Sequence, residues 1–303
     1  MNNTEILDLS RQNSPDNIRR LAAQKQIYFD GKSLFLWQLG LTGPVTILLS
    51  LTKVILSTVW KVDISWLSAT VGLFLTIFEL AIIQGIIGSR RTDAAKIQEA
   101  FDTSVYEMPW NEFLVGKRPE IETINRYSRK FERRDRDGAK MRKLTHWYPI
   151  EADGMPLFKG ILVCQKANVH YDFSLRESFR RVIFIVAGVT FLLLFAFTLV
   201  EDFSIRSILS QLVVPFLPML TLSLKLNNEH SKSIKNLTEL KQLLNRQVAE
   251  ADADNSLSIE ILRRLQDRIY LSRKDSSLIP DQFYDRLRNR LESEMHDNAA
   301  TIT

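Results

Sequence analysis

Four stretches of this 303-residue chain carry almost no charge, and they limit its fold more than any other feature. They cover residues 34–52, 64–88, 182–200 and 207–224, with lengths of 19, 25, 19 and 18 residues, and only Glu79 interrupts them with an ionisable group. About 20 helical residues cross roughly 30 Å of hydrocarbon, so each stretch reads as a membrane span. The overall composition, 45% hydrophobic and 25% charged, is average and conceals this segregation. The pattern excludes an ordinary soluble domain, a disordered chain, a collagen-like fibre and a disulfide scaffold. Cys164 is the single cysteine, so no intrachain disulfide is possible.

Charge supplies the orientation. Of 40 Lys and Arg residues, 37 lie before the first stretch, between the second and third, or after the fourth, and 3 lie in the two short loops. Lys32, Arg90, Arg91, Arg180, Arg181 and Lys225 all flank spans on the rich side. Because basic loops stay on the cytoplasmic side, both termini and the central segment are expected in the cytoplasm. The first stretch reads as a retained span, since the residues before it are too long and too mixed in charge for a signal peptide. Lys53 and Lys61 can snorkel to the interface.

Five segments follow. Residues 1–33 form a cytosolic amphipathic segment, with a helix over 17–29 that Asp16 caps and that lies along the membrane surface. Residues 34–88 and 182–224 are transmembrane hairpins. Residues 89–181 form a small mixed cytosolic insert. Its expected parts are a helix over 90–100, extended chain over 101–110, a basic helix over 120–143, a strand or helix start at 161–164 and a helix over 168–181. Residues 225–303 form a cytosolic tail of three amphipathic helices, with stripes Ile234, Leu237, Leu240, Leu244 and Val248, then Ile261, Leu265 and Ile269, then Phe283, Leu287 and Leu291. The predicted fold is thus an all-α membrane protein with four transmembrane helices, an insert between spans two and three, and a helical tail.

Enzyme signatures are missing, so no catalytic activity, catalytic residue or metal site is expected. Gly31-Lys32-Ser33 imitates the end of a P-loop, but Gln26 stands where that motif needs glycine. The four histidines are not at ligand spacing, and Cys164 reads as a small buried residue. Glu79 lies 15 positions into the second span, about 22 Å along it at 1.5 Å per residue. A carboxylate at that depth faces protein or water rather than lipid. It continues a small or polar face through Ser68, Gly72 and Thr76, and the fourth span has a comparable face with Gln211, Pro215 and Pro218. Two readings stand for these faces: close helix packing and the lining of a water-filled path. The prolines also favour a kink or a hinge.

A basic run occupies residues 126–143, with Arg129, Arg133, Arg136 and Lys140 at spacings that put them on one helical face. It reads either as a solvated helix or as a surface for phosphate on lipid or nucleotide. Trp147 and Tyr148 follow it, placed to stack on a base or to sit in the core.

Four phrases carry a family resemblance: RQNSPDNIRRLAAQKQIY at 11–28, FDTSVYEMPWNEFLVGKRP at 101–119, HWYPIE at 146–151 and ILVCQKANVHYDFSLRESFRR at 161–181. With the order of spans and insert, the chain resembles the bacterial SMODS-associating four-transmembrane effector family. The resemblance implies antiphage defence: an oligomeric effector that permeabilises the inner membrane when a cyclic oligonucleotide is sensed on the cytosolic side. It implies the lipid bilayer, further copies of the chain and the cyclic oligonucleotide as partners, with no cofactor and no DNA or RNA. Two other classes are compatible with the residues alone: a membrane-anchored scaffold without pore activity, and a small transporter subunit, although no inverted repeat of interrupted spans is present.

Overall fold

A computed structural model describes residues 5–41, 44, 48, 52, 55–56, 59–60, 70, 73–74, 77–199, 205, 208–254 and 258–300. Among them the regular elements are helical: α1 (Pro15–Gly40), α2 (Gln84–Val105), α3 (Glu112–Val115), α4 (Ile121–Arg134), α5 (Ala139–Arg142), α6 (Leu157–Leu199), α7 (Val214–Asp254), α8 (Ile259–Asp275) and α9 (Asp281–Ala300). Short 3₁₀ turns occupy Leu9–Asn13 and Ile150–Ala152, and π-turns occupy Glu79–Ile83 and Ile208–Val213. The described residues contain no strand, only an isolated antiparallel bridge between Ile6 and Pro156. The insert is therefore helical rather than mixed. Residues 161–164 lie within α6, and residues 101–105 complete α2 instead of being extended. Residues 161–164 are a short apolar run that periodicity cannot assign without its flanks.

The chain divides into two compact units. Unit 1 comprises Met1–Gly31, Ser89–Arg176 and Lys232–Thr303, and unit 2 comprises Lys32–Gly88 and Glu177–Ser231. Each division falls inside a helix: α1, α2, α6 and α7.

Beside two smaller buried clusters, around Ile27 and Ile97 and around Val115 and Tyr270, unit 1 is built around a main apolar core. Leu21 and Ala22 of α1, Phe101 and Val105 of α2, Ile161, Leu162 and Cys164 of α6, Leu237, Leu240 and Leu244 of α7, and Leu262, Leu265 and Ile269 of α8 all enter it. Burial pushes the Cys164 thiol well above its ordinary value, with Asp102 adding to the effect. Of the expected stripes of α7 and α8, Leu237, Leu240, Leu244, Leu265 and Ile269 are buried and Ile234, Val248 and Ile261 are half-buried, because a 3.6-residue period places them on one side. The start of α1 differs from expectation. Ser14, not Asp16, caps it, accepting from the Asn17 amide, and Pro15 takes the first helical position, where its missing N–H costs nothing. The apolar face of α1 packs on protein: Leu21, Ala22, Ala23 and Ile27 are fully buried. That face is therefore not free to rest on a membrane surface. The N-terminal segment is laced to the loop before α6, with the Leu7 amide donating to the Met155 carbonyl at 2.9 Å and the Leu157 amide to the Glu5 carbonyl at 2.8 Å. Gly160 permits that approach, since a Cβ there would meet Leu7 Cδ2 at 2.7 Å.

Unit 2 has a different surface. Phe179 packs edge-on to His230 at 5.1 Å and Phe191 to Phe216 at 5.3 Å, and Leu212, Leu222 and Leu226 are buried. Among the described exposed large apolar side chains, Ile6, Phe113, Ile121 and Ile150 belong to unit 1 and all the others to unit 2. The latter include Phe184, Ile185, Leu192 and Leu193 of α6 and Leu217 and Leu224 of α7. All four apolar stretches fall inside unit 2, and each includes residues outside the described set. Among the described residues, no helix is long and apolar enough to cross a membrane.

Candidate functional site

The basic run folds as two helices rather than one. α4 ends at Arg134 because Asp135 leaves helical geometry and turns its carboxylate onto the next helix, accepting from the Lys140 amide at 3.0 Å and the Met141 amide at 2.6 Å. Partial burial raises the Asp135 pKa, but these amide bonds outweigh it and hold the carboxyl below its ordinary value. Gly138, at φ 68°, makes the left-handed turn into α5. Arg129 and Arg133 therefore lie on α4, Arg136 in the turn and Lys140 on α5, which corrects the single helical face expected for them. All four are exposed, and among the described residues none of their side chains makes an ion pair or hydrogen bond. Their basic neighbours are engaged: Lys130 pairs with Asp30 at 2.7 Å, Arg134 lies 3.5 Å over the Phe29 ring, and Arg126 lies 5.1 Å over Tyr127. The result is a surface that offers four uncommitted cations to an anion.

Trp147 and Tyr148 are not part of that surface. Trp147 is half-buried, edge-on to Phe101, with the Lys25 ammonium 5.2 Å from its ring centroid. Tyr148 is 2% exposed; Phe101 stacks on it at 5.9 Å and Tyr106 tilts against it at 5.2 Å. Its hydroxyl donates to Asp102 at 2.6 Å and accepts from the Asn168 amide at 3.0 Å. Burial, then Asp102, pushes its pKa well above the ordinary range.

Tyr148 leads into a buried polar network. Glu99 and Asp102 of α2 are both inaccessible to solvent. Gln266 of α8 donates to each of them at 2.8 Å. Arg263 pairs with Glu99 and Arg273 with Asp102. Gln165 of α6 adds bonds to the Leu262 carbonyl at 3.0 Å and to Gln266 at 3.1 Å. Burial raises the Glu99 pKa despite Arg263 beside it. Burial also works against the Arg273 charge, but Asp102 outweighs it and raises the Arg273 pKa. These groups bond chiefly to one another, which makes them a clasp between α2 and α8, although Arg273 Nη2 and Gln165 Oε1 are buried without a hydrogen-bond partner.

In unit 2, Glu79 opens one π-turn, and Gln211 lies in another, four residues before Pro215 and seven before Pro218. Proline gives no N–H to the carbonyl four residues back, so the ladder loses donors where it widens. The side chains of Glu79, Gln211, Pro215 and Pro218, and all of Ser68, Gly72 and Thr76, lie outside the described residues.

The profile of the SMODS-associating 4TM effector domain matches residues 9–302. The chain belongs to that family. It is also 26% identical over 282 residues to a probable CBASS effector molecule of Bacillus cereus, with 91% of each chain covered. No solved structure gives a significant match. Membership places the chain among the effectors of antiphage defence and among proteins named for four membrane spans.

The family match spans the clasp, whose residues the sequence reading passed over. A signal was present. Gln266 and Arg273 continue the buried stripe of Leu262 and Ile269 at i+4, and Asp102 stands three residues before buried Val105. A polar residue on an apolar stripe needs a buried partner.

Proposed function

We propose that this effector is a multi-pass protein of the bacterial inner membrane, with both termini cytoplasmic. On this reading it oligomerises and permeabilises the bilayer when unit 1 senses a cyclic oligonucleotide, and it catalyses no reaction. The observation that carries the reading is the contrast between the units. Unit 2 turns large apolar side chains outward along α6 and α7, while unit 1 buries all but a few of its own, among the described residues, and closes them with a charged clasp. Outward apolar area of that extent needs lipid or other spans against it. Ligand coupling is supported by helices α1, α2, α6 and α7, each of which runs through the division between units. A ligand shifts such an equilibrium by its differential affinity for the two states.

The orientation has a direct test. In a Cys164→Ala background, an impermeant thiol reagent applied to intact spheroplasts should label cysteines placed at Asp63 and Asp202, and leave those at exposed Glu122 and Glu260 unlabelled. Labelling at Glu122 would reverse the assignment.

Arg129, Arg133, Arg136 and Lys140 are proposed to capture the phosphate-bearing signal electrostatically. Arg129→Glu with Arg133→Glu should slow association of a cyclic oligonucleotide with the detergent-solubilised chain by about tenfold at low salt, and much less at high salt. An unchanged rate at low salt would remove this surface from the pathway. Weakened attachment to anionic bilayers alone would make it a lipid contact.

A further inference from the structure

We infer that unit 1 holds a second, buried anion site, built by Arg91 of α2, Arg176 of α6 and Arg273 of α8 around the turn that follows α8, and that it takes a phosphodiester. Two guanidiniums from different helices converge on that turn. Arg91 Nη1 donates to the Ser276 carbonyl at 3.4 Å, and Arg176 Nη1 to the Ser277 carbonyl at 2.8 Å. Arg273 stands in the last turn of α8, directly before. Tyr28 of α1 lies in the field of all three and of Asp172. Burial, the first cause, pushes its phenol up to about 12, so it stays a proton donor at physiological pH.

Charge within the group does not balance. Arg176 pairs with Asp172 at 3.0 Å and Arg273 pairs with Asp102. Arg91 has a neutral carbonyl at long range and, among the described residues, no carboxylate partner. Donors are left over as well: Arg91 Nε, Arg273 Nη2 and Ser272 Oγ are buried without a hydrogen-bond partner. Buried polar groups in folded proteins are rarely left so, and a bound ion is one of the explanations for those that are. A phosphodiester carries one negative charge and two unesterified oxygens. It would neutralise the unpaired guanidinium and accept from the leftover N–H groups, which guanidinium forks suit better than ammonium groups do. Such a ligand would also compete with the Ser276 carbonyl for Arg91, which ties occupancy to the α8–α9 turn.

The existence of the anion site stands on this geometry; its assignment to the signal rests on the sensing reading above. A phosphodiester reaches it from either of two sources, a cyclic oligonucleotide or an anionic lipid headgroup. The test uses the full chain in a neutral detergent. Radiolabelled inorganic phosphate should bind saturably. Arg91→Gln, which breaks no ion pair, should weaken that binding at least tenfold with an unchanged circular dichroism spectrum, and Arg91→Lys should fall between the two. Phosphate bound equally well by Arg91→Gln, or no saturable binding to the wild type, overturns the site. Competition follows, with cyclic di-adenylate, cyclic tri-adenylate and cyclic di-guanylate in one arm and short-chain phosphatidylglycerol in the other. Displacement by a cyclic oligonucleotide supports both the site and the sensing reading. Displacement by phosphatidylglycerol alone supports the site as a headgroup seat and counts against sensing there. Displacement by neither overturns the phosphodiester assignment.

Discussion

Asp102→Ala is expected to destabilise unit 1 by about 3–5 kcal/mol, the range for stranding one partner of a buried ion pair. The carboxylate is fully buried and accepts from Arg273, Gln266 and the Tyr148 hydroxyl. Its removal leaves the Arg273 guanidinium in a low-dielectric interior without its ion-pair partner and with only the weaker field of Glu99, and the Tyr148 hydroxyl and Gln266 each lose an acceptor. Asp102→Asn keeps the size and part of the hydrogen bonding, so it should cost less. Asp102→Leu combined with Arg273→Met removes both charges and should recover most of the loss, because the penalty comes from the stranded partner rather than from the missing attraction. A chain with two units need not unfold in one step. Native-state hydrogen exchange of α8 amides is therefore the suitable measurement. A loss of protection below about 1 kcal/mol for Asp102→Ala would mean that the clasp does not hold α8 in place.

Glu79→Leu is expected to abolish membrane permeabilisation, lowering flux at least a hundredfold while the protein still inserts. A carboxylate deep in a span is costly, and leucine suits lipid better, so insertion should improve rather than fail. Glu79 also opens a π-turn, a widening of the helix that is frequent at functional sites. Glu79→Gln should retain part of the flux if the role is hydrogen bonding between helices, and little if it is charge along a water path. Flux through reconstituted vesicles, normalised to inserted protein, measures this. A fully active Glu79→Leu would show that the carboxylate contributes nothing to permeation.

Much of the helical order was legible from periodicity. The stripe Leu237, Leu240 and Leu244 is buried as read, and so are Leu265 and Ile269. Local rules failed where tertiary partners decided. Asp16 looked like a cap, but Ser14 one step earlier has the side chain that reaches the Asn17 amide. The amphipathic α1 looked like a surface helix because periodicity reports an apolar face without saying what covers it. The basic run looked like one helix because charge spacing conceals the break that Asp135 and Gly138 impose. Of the candidate ligand residues, Arg129, Arg133, Arg136 and Lys140 remain on the surface, whereas Tyr148 is committed to the core. Arg91, Arg176 and Arg273 are far apart in sequence and meet only through the packing of three helices, which no spacing within one segment reports.

Ligand-triggered ion release from vesicles tests the central claim most directly. The purified chain is reconstituted into anionic liposomes loaded with a potassium-sensitive dye, and the cyclic oligonucleotide panel is added to the side that carries unit 1. The account predicts rapid dye response to one member of the panel, none to linear oligonucleotides of the same composition, and none for Glu79→Leu. Tight binding of a cyclic oligonucleotide with no ion release at any protein density would contradict it, and would leave the chain a membrane-anchored signalling scaffold.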